Sequence, residues 1–358
     1  MHAMCLKSKL SVFVVLVGSI LVSELQAGQI DAIYAFGDSL SDVGNAFVGT
    51  GGTIPGPPYF DGQFSNGNIW LQDLAADLGL APLIPSLEPG GTDYAVGSAQ
   101  TGTNVLFNSA GATANQIDLM NAQIPSFLAN NPTANPNALY TIWIGSNDLS
   151  AIPDTATPGQ IALDLGEVAG NIDTAIGMLA TDGAKNFLVV TVPDLGKSPE
   201  GLTAGPTASA ALSALSAGFD STLVSGSAPI PSLASLAAGY SINISVLNAY
   251  SLLDSIAGNP GLYGFTDATD ACLTNSPNFV GGTVCTNPDQ YLFWDESGHP
   301  TAAANLLVAD ETLSLVAPEP ASLSLIAAAG LLGLFFIPRR WCNHRQRYIA
   351  SRPARPAR

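Results

Sequence analysis

The chain has 358 residues, 47% of them apolar and 11% charged, enough apolar material for one large α/β domain or two smaller ones, which excludes wholesale disorder. No glycine period and no recurring unit of about 20–50 residues is present, which excludes collagen-like and solenoid classes. Residues 28–317 hold only Lys185 and Lys197 against 26 acids, a net of −24 within an overall −17, and so acidic a surface repels phosphate backbones and excludes nucleic acid as a partner.

At the N-terminus Lys7 and Lys9 precede an apolar run from Leu10 to Val22 and then Ala27. A charged start, a short apolar core and a small residue are the parts of a secretory signal peptide. It is expected over residues 1–27, with signal peptidase cutting near Ala27 or Gly28. The run is short for a bilayer span; a retained anchor is the alternative.

From Asp31 to about Val316, strand-like and helix-like stretches alternate. Apolar, β-prone runs at Ala32–Phe36, Leu139–Ile144, Phe187–Val192 and Ile242–Leu247 predict strands buried on both faces of a parallel sheet. Helical patterns fall at Ile69–Leu80, Ala114–Leu128, Pro158–Ala180, Thr207–Val224 and Thr301–Leu315. The Ala, Ser and Gly of Ala204–Ala238 read as small-residue helices, not as a tether. This alternation predicts an α/β protein, a three-layer α/β/α sandwich with a mainly parallel sheet, as one domain over residues 28–316.

The C-terminus carries three parts in order over residues 317–347: Pro318-Glu319-Pro320, an apolar span at 321–337, and Arg339, Arg340, Arg345 and Arg347. A basic tail at 348–358 follows. The span is near the lower length limit for crossing a bilayer, and the arginines hold that end in the cytoplasm. The order resembles the PEP-CTERM sorting signal of Gram-negative, exopolysaccharide-producing bacteria. That resemblance implies recognition by an exosortase, a transient stay in the inner membrane, and removal at its outer side. The alternative is an ordinary C-terminal anchor. Cysteine usage agrees with export: Cys5 and Cys342 lie in the two end segments, while Cys272 and Cys285 sit in a polar loop. In an oxidising compartment these two are expected to pair as a structural disulfide.

In such folds the working residues sit at the carboxyl ends of the strands, and three of the candidate motifs fall there. The first strand runs into Phe36-Gly37-Asp38-Ser39-Leu40-Ser41-Asp42-Val43-Gly44-Asn45, which presents Ser39 at a sharp turn. A serine hydroxyl needs a base to act as a nucleophile. Outside the end segments the one histidine is His299, in Phe293-Trp294-Asp295-Glu296-Ser297-Gly298-His299-Pro300-Thr301. An acid three or four residues earlier orients its ring and stabilises the imidazolium. Oxyanion donors are expected at Asn147, in Ile144-Gly145-Ser146-Asn147-Asp148, and at the backbone N–H of Gly97 or its neighbour, in Tyr94-Ala95-Val96-Gly97-Ser98-Ala99. Asp38 and Asp42 read as turn and capping groups before metal ligands, and Asp148 as a loop-stabilising acid. Tyr59, Phe60, Phe64 and Trp70 read as packing before substrate wall. No phosphate-binding loop is present, and neither cofactor nor metal is expected.

In order and spacing these four blocks resemble the GDSL, or SGNH, family of ester hydrolases. Phe64-Ser65-Asn66-Gly67-Asn68-Ile69-Trp70 and Val192-Pro193-Asp194-Leu195-Gly196 are weaker matches to the same family. The resemblance covers residues 31 to about 315 and implies a flavodoxin-like SGNH hydrolase fold. Carried over, Ser39 is the nucleophile and His299 the base, with Ser39, Gly97 and Asn147 forming the oxyanion hole. The acid departs from the family pattern, since three residues, not two, separate Asp295 from His299. Glu296 has the usual spacing but is the longer acid; Asp295 is favoured if Gly298 absorbs the extra residue. Ser98 also stands where glycine is common.

The implied protein is an exported serine ester hydrolase, an esterase or lipase. It works through an acyl-enzyme on a lipid, a small acyl ester or an acylated polysaccharide, at the cell envelope, surface or extracellular matrix of a Gram-negative bacterium. The alternatives are a matrix protein that kept the fold without catalysis, and an acyltransferase acting on exopolysaccharide.

Overall fold

The computed structural model describes residues 30–102 and 117–317. The expected signal peptide (1–27), the apolar span (321–337) with its flanking Arg residues, and the basic tail lie outside the described residues.

The four apolar runs are strands: β1 (Ile33–Gly37), β2 (Leu139–Trp143), β3 (Asn186–Val190) and β4 (Asn243–Leu247). They pair in parallel in the order β1-β2-β3-β4. Every residue of β2 is buried, as a strand covered on both faces must be, whereas the edge strand β4 is largely exposed or half-buried.

A further segment, residues 92–96, lies along the free edge of β1. The Ala35 N–H donates to the Thr92 carbonyl at 3.0 Å, Tyr94 returns a bond to Ala35 at 2.7 Å, and Val96 donates to Gly37 at 3.1 Å. The sequence pattern shows no strand there, because Thr92 and Asp93 interrupt the apolar run and a single residue pair, Ala35 with Asp93, makes a parallel bridge.

Ten α-helices accompany the strands in the described residues. They are α1 (Asn45–Gly49), α2 (Trp70–Asp77), α3 (Ile124–Asn130), α4 (Ser146–Ser150), α5 (Pro158–Asp182), α6 (Pro199–Thr203), α7 (Pro206–Ser225), α8 (Leu233–Tyr240), α9 (Ala249–Gly258) and α10 (Ala302–Val316). The helix expected over Ala114–Leu128 differs: Leu119–Gln123 forms a wider π turn before α3. Pro125 has no N–H to offer Asn121, so the ordinary ladder cannot run through this point.

Alternate residues of the strands feed two cores, as the two-residue period requires. Phe36, Tyr140, Ile142, Phe187 and Val189 pack with Phe127 of α3, Ile172 and Ile176 of α5, and Phe219 of α7. On the opposite face, Ile33, Ala35, Trp143, Leu188 and Val190 meet Trp70, Leu71 and Leu74 of α2 and Val308 and Ala309 of α10. These are the two helical layers of the expected sandwich.

A small second sheet was not legible from the pattern. It comprises β5 (Asp267–Thr274), β6 (Thr283–Val284) and β7 (Tyr291–Asp295), ordered β6-β5-β7, with β5 antiparallel to β6 and parallel to β7. Cys272 and Cys285 are bonded across the β5–β6 hairpin with a Cα–Cα distance of 4.8 Å.

Candidate active site

The register of the main sheet sets the site. Gly37 pairs with Trp143 at the ends of β1 and β2, so Ser39 and Asn147 leave the same edge of the sheet from adjacent strands. The 92–96 segment, on the other side of β1, delivers Gly97 to that edge. A side chain at Gly37 would lie 2.3 Å from the Trp143 carbonyl oxygen, which is why only glycine fits this crossing. Gln123 holds the same glycine from the π turn: its Oε1 accepts the Gly37 N–H at 2.9 Å and its Nε2 donates to the Gly37 carbonyl at 2.7 Å.

Strand β7 ends at Asp295, and the following turn brings back His299. Ser39 Oγ lies 2.7 Å from His299 Nε2, and His299 Nδ1 lies 2.6 Å from Asp295 Oδ2. Asp295 Oδ1 also accepts the backbone N–H of Ser297 at 3.0 Å and of His299 at 3.3 Å. The extra residue in the turn is taken up by Gly298, whose φ of 94° lies in the region that favours glycine. Glu296 is exposed and turned away, its Oε2 accepting the Asn275 N–H at 3.2 Å. Between the two acids, the one in contact with the imidazole is Asp295.

Burial opposes charge on His299, yet the Asp295 carboxylate outweighs it and raises the imidazole above its ordinary value of 6.5. Asp295 is itself buried, which favours its neutral form, but the facing imidazole and the hydrogen bonds it accepts hold it below the ordinary 3.8. Tyr59 is one of those donors: its hydroxyl lies 2.8 Å from Asp295 Oδ2. The sequence reading of Tyr59 as packing holds for the ring, which meets Phe64, Phe279 and Trp294 edge-on. It missed the hydroxyl, whose partner is 236 residues away.

The oxyanion side is more mixed. The Ser39 backbone N–H has no acceptor among the described residues. Asn147 Nδ2 donates to the Ala99 carbonyl at 3.0 Å. That bond fixes the amide and leaves its second hydrogen to offer. Gly97 requires a correction: its N–H donates to Asp42 Oδ2 at 2.8 Å and is already engaged. Asp42 gathers this N–H together with those of Gly44, Asn45 and Ala46, which makes it the capping group expected and draws Gly97 into its cluster. Glycine is nonetheless needed at 97, since a Cβ would sit 2.5 Å from Cζ of Phe64. The Phe64 ring in turn packs against His299 with centroids 5.1 Å apart. The next residue, Ser98, has φ 68°, a backbone conformation that explains why glycine is common there.

The remaining motif residues brace the site. Ser65 Oγ donates to the Pro300 carbonyl at 2.9 Å, Asn66 Oδ1 accepts the Ala302 N–H at 2.8 Å, and Trp70 Nε1 donates to the Leu40 carbonyl at 3.1 Å. Asp148 holds Thr101 through the hydroxyl at 2.8 Å and the N–H at 3.1 Å, the loop-stabilising part expected of it. Asp194 caps its own turn by accepting the Gly196 N–H at 3.0 Å. Among the described residues no group of three or more His, Cys, Asp or Glu is arranged to hold a metal ion, and no helix is long and apolar enough to cross a membrane.

A family model described as GDSL-like Lipase/Acylhydrolase matches residues 33–312. The chain is 27% identical over 304 residues to the thermolabile hemolysin of Vibrio parahaemolyticus, covering 81% of this chain and 64% of the hemolysin. It is 28% identical over 328 residues to a GDSL esterase/lipase of Arabidopsis thaliana, covering 78% and 86%. Over 168 residues it is 30% identical to the phosphatidylcholine-sterol acyltransferase of Aeromonas hydrophila, covering 47% and 46%.

Proposed function

The chain belongs to the GDSL-like lipase/acylhydrolase family, a family of carboxylic ester hydrolases, and on that premise we propose that it is an exported serine esterase or lipase acting through an acyl-enzyme on Ser39. The observation that carries this reading is the continuous line of contacts from Ser39 Oγ through His299 to Asp295. His299 Nε2 takes the serine proton as Oγ attacks the ester carbonyl, and Asp295 stabilises the imidazolium that results. The developing oxyanion is met by the Ser39 backbone N–H and Asn147 Nδ2. Collapse breaks the bond to the alcohol, which leaves with the proton held on His299. Water then gives its proton to His299 and attacks the acyl group, releasing the carboxylic acid and restoring Ser39.

The N-terminal segment is read as a signal peptide, and the Pro318-Glu319-Pro320, apolar and arginine order as a PEP-CTERM sorting signal. Together they support export through the inner membrane, processing by signal peptidase and an exosortase, and work at the envelope or in the extracellular matrix of a Gram-negative bacterium. Acyl transfer to a sugar hydroxyl would use the same acyl-enzyme, and one of the relatives carries an acyltransferase name. A matrix protein without catalysis would have no use for the contacts that join Ser39 to His299 and His299 to Asp295.

The test is turnover of short and long p-nitrophenyl esters by the purified protein beside Ser39→Ala, with a chelator present. Serine-dependent hydrolysis that survives the chelator is the expected result. Folded protein that shows no difference between the two on any ester, acetylated polysaccharide included, would move the reading to the matrix protein. A rise in ester product when a sugar acceptor is added would move it to acyl transfer.

A further inference from the structure

Gly37, two residues before the nucleophile, breaks the ladder along the free edge of β1. There the Ala35 N–H donates to the Thr92 carbonyl, the Ala35 carbonyl accepts from Tyr94, and the Gly37 carbonyl accepts from Val96. The same alternation would give the Gly37 N–H to the Tyr94 carbonyl. It goes instead to Gln123 Oε1 at 2.9 Å, while Gln123 Nε2 donates to the Gly37 carbonyl at 2.7 Å and to the Ile117 carbonyl at 2.8 Å. Gln123 is 2% exposed. A side-chain amide offers an acceptor beside two N–H donors, and all three are used here on backbone groups.

The turn that carries Gln123 is also tied to the oxyanion side. Leu119 N–H donates to the Gln100 carbonyl at 3.0 Å, Met120 N–H to that of Thr101 at 3.2 Å, and Asp118 Oδ1 accepts the Gln100 N–H at 3.1 Å. Residues 99–101 in turn hold Asn147: the Ala99 carbonyl accepts its Nδ2 at 3.0 Å, and Gln100 Nε2 donates to its carbonyl at 3.2 Å. Residues 118–123 thus grip both the chain that leads into Ser39 and the strip that fixes Asn147. The Ser39 N–H and Asn147 Nδ2 follow different strands, and this bridge sets their spacing together with the β1–β2 register.

We propose that Gln123 is a positioning residue for the oxyanion hole: it sets the turn at Gly37 so that the Ser39 N–H and Asn147 Nδ2 meet one oxygen together. This rests on the ester-hydrolase reading, so two measurements are made on the full chain. One is turnover of a p-nitrophenyl ester; the other is the rate at which a fluorophosphonate labels Ser39, which needs no turnover. Gln123→Leu keeps the bulk of the side chain and removes all three bonds. Its kcat and labelling rate are expected to fall about tenfold or more, since a displacement of about 1 Å can cost about 10²-fold. KM and the pH of the acid limb are expected to stay, because nothing that touches His299 changes. Combined with Asn147→Ala, the losses should be less than multiplicative, as both act on one hole.

Gln123→Glu is the conservative variant. Buried against two carbonyls, its carboxyl is held neutral, accepts the Gly37 N–H and donates to the Gly37 carbonyl. It is expected to recover most of the kcat lost in Gln123→Leu, and to lose it again as pH rises and the charged form faces those carbonyls. The wild type has no such limb.

Folded Gln123→Leu with a lower Tm but wild-type kcat and labelling overturns the positioning role, and Ser39-dependent turnover then leaves the hydrolase reading standing. Fully multiplicative losses with Asn147→Ala, or an acid limb that moves in Gln123→Leu, overturn the assignment to the oxyanion side. Should Gln123→Leu fail to fold, Gln123→Glu decides, and the absence of its alkaline limb overturns the role. Slower labelling in Gln123→Leu with no ester turned over by the wild type overturns the hydrolase reading and keeps the positioning role. A wild type that neither turns over an ester nor takes the label overturns both.

Discussion

The Tyr59 hydroxyl donates to Asp295 Oδ2 at 2.8 Å, the same oxygen that lies 2.6 Å from His299 Nδ1. One carboxylate oxygen thus carries two donors, and the phenol fixes the direction from which the imidazole is held. Tyr59→Phe removes this bond with the ring in place. Loss of such a supporting partner is expected to lower kcat about tenfold or more, with KM little changed. The freed carboxylate pulls harder on the imidazole proton, so the acid limb of the rate profile moves to higher pH. A role confined to packing would leave that limb where it was.

Asp295 and Glu296 are adjacent in sequence but not in what they touch. Asp295→Asn leaves an amide against His299 and favours the wrong tautomer, so kcat is expected to fall on the order of 10³–10⁴-fold. Glu296→Gln alters an exposed side chain whose contact is the Asn275 N–H, and kcat is expected to stay near wild type. Steady-state kinetics of the two variants checks the ranking, and the reverse order would place the acid at Glu296.

The four strands of the main sheet were legible because each is a continuous apolar run, Ser39 and Asn147 because their motifs sit where two of those runs end, and His299 because it is the one histidine outside the end segments. Contacts set by distant chain segments were not legible. Nothing near Gly97 in the chain shows that its N–H belongs to Asp42, 55 residues away. Tyr59 looks like any packing aromatic until β7 and the turn after it place Asp295 beside it. The small sheet was missed because β5 is broken by Asp267, Thr269 and Asp270 and β6 has only two residues. Ser98 carried a signal that only the backbone explains, a left-handed φ of 68°.

In the proposed reaction His299 must be neutral to take the serine proton, so the rate profile should show an acid limb set by His299. Asp295 and, more weakly, Asp38 hold its value above 6.5 despite burial. Activity is therefore expected to be lost as pH falls through a point above 6.5. Asp38→Asn removes one of these charges and is expected to move the limb down. A limb below 6.5 in the wild type would contradict the arrangement.

Stability should fall as pH rises. Asp38 and Asp148 are each pushed from 3.8 to about 7, and Asp42 to about 6, in each case first by burial. An acid that holds its proton more tightly when folded contributes stability below its unfolded value and loses it as pH rises through its folded value. His299, raised above 6.5, acts in the same direction, while Asp295, held below 3.8, contributes stability that is lost only in stronger acid. Thermal unfolding is expected at lower temperature at pH 8 than at pH 5. Asp38 makes the case sharp: one oxygen accepts the Leu40 N–H at 3.0 Å and the other is buried without a partner among the described residues. Asp38→Asn should raise Tm at pH 8 and change it little at pH 4.

The Cys272–Cys285 bond reaches the site through Phe279. The hairpin that it closes places the Phe279 ring 5.7 Å from His299 and 5.1 Å from Phe64, centroid to centroid. Two backbone bonds tie the same loop to the segment before Tyr59: Gly56 N–H donates to the Phe279 carbonyl at 2.9 Å, and Gly281 N–H to that of Pro57 at 2.8 Å. Phe279 keeps φ at 57° and its neighbour Asn278 at 52°, costly conformations for such residues that surrounding contacts must sustain. Without the cross-link the hairpin has few other ties, because β6 pairs with β5 through two residues. Replacing both cysteines with serine is expected to cost about 2–4 kcal/mol of stability, and to lower kcat severalfold as Phe279 leaves His299. Phe279→Ala separates the effects, since it should reproduce the loss in kcat with the disulfide intact. If the double serine variant loses stability and keeps its kcat on the folded protein, the hairpin is a staple alone and Phe279 does not hold the histidine.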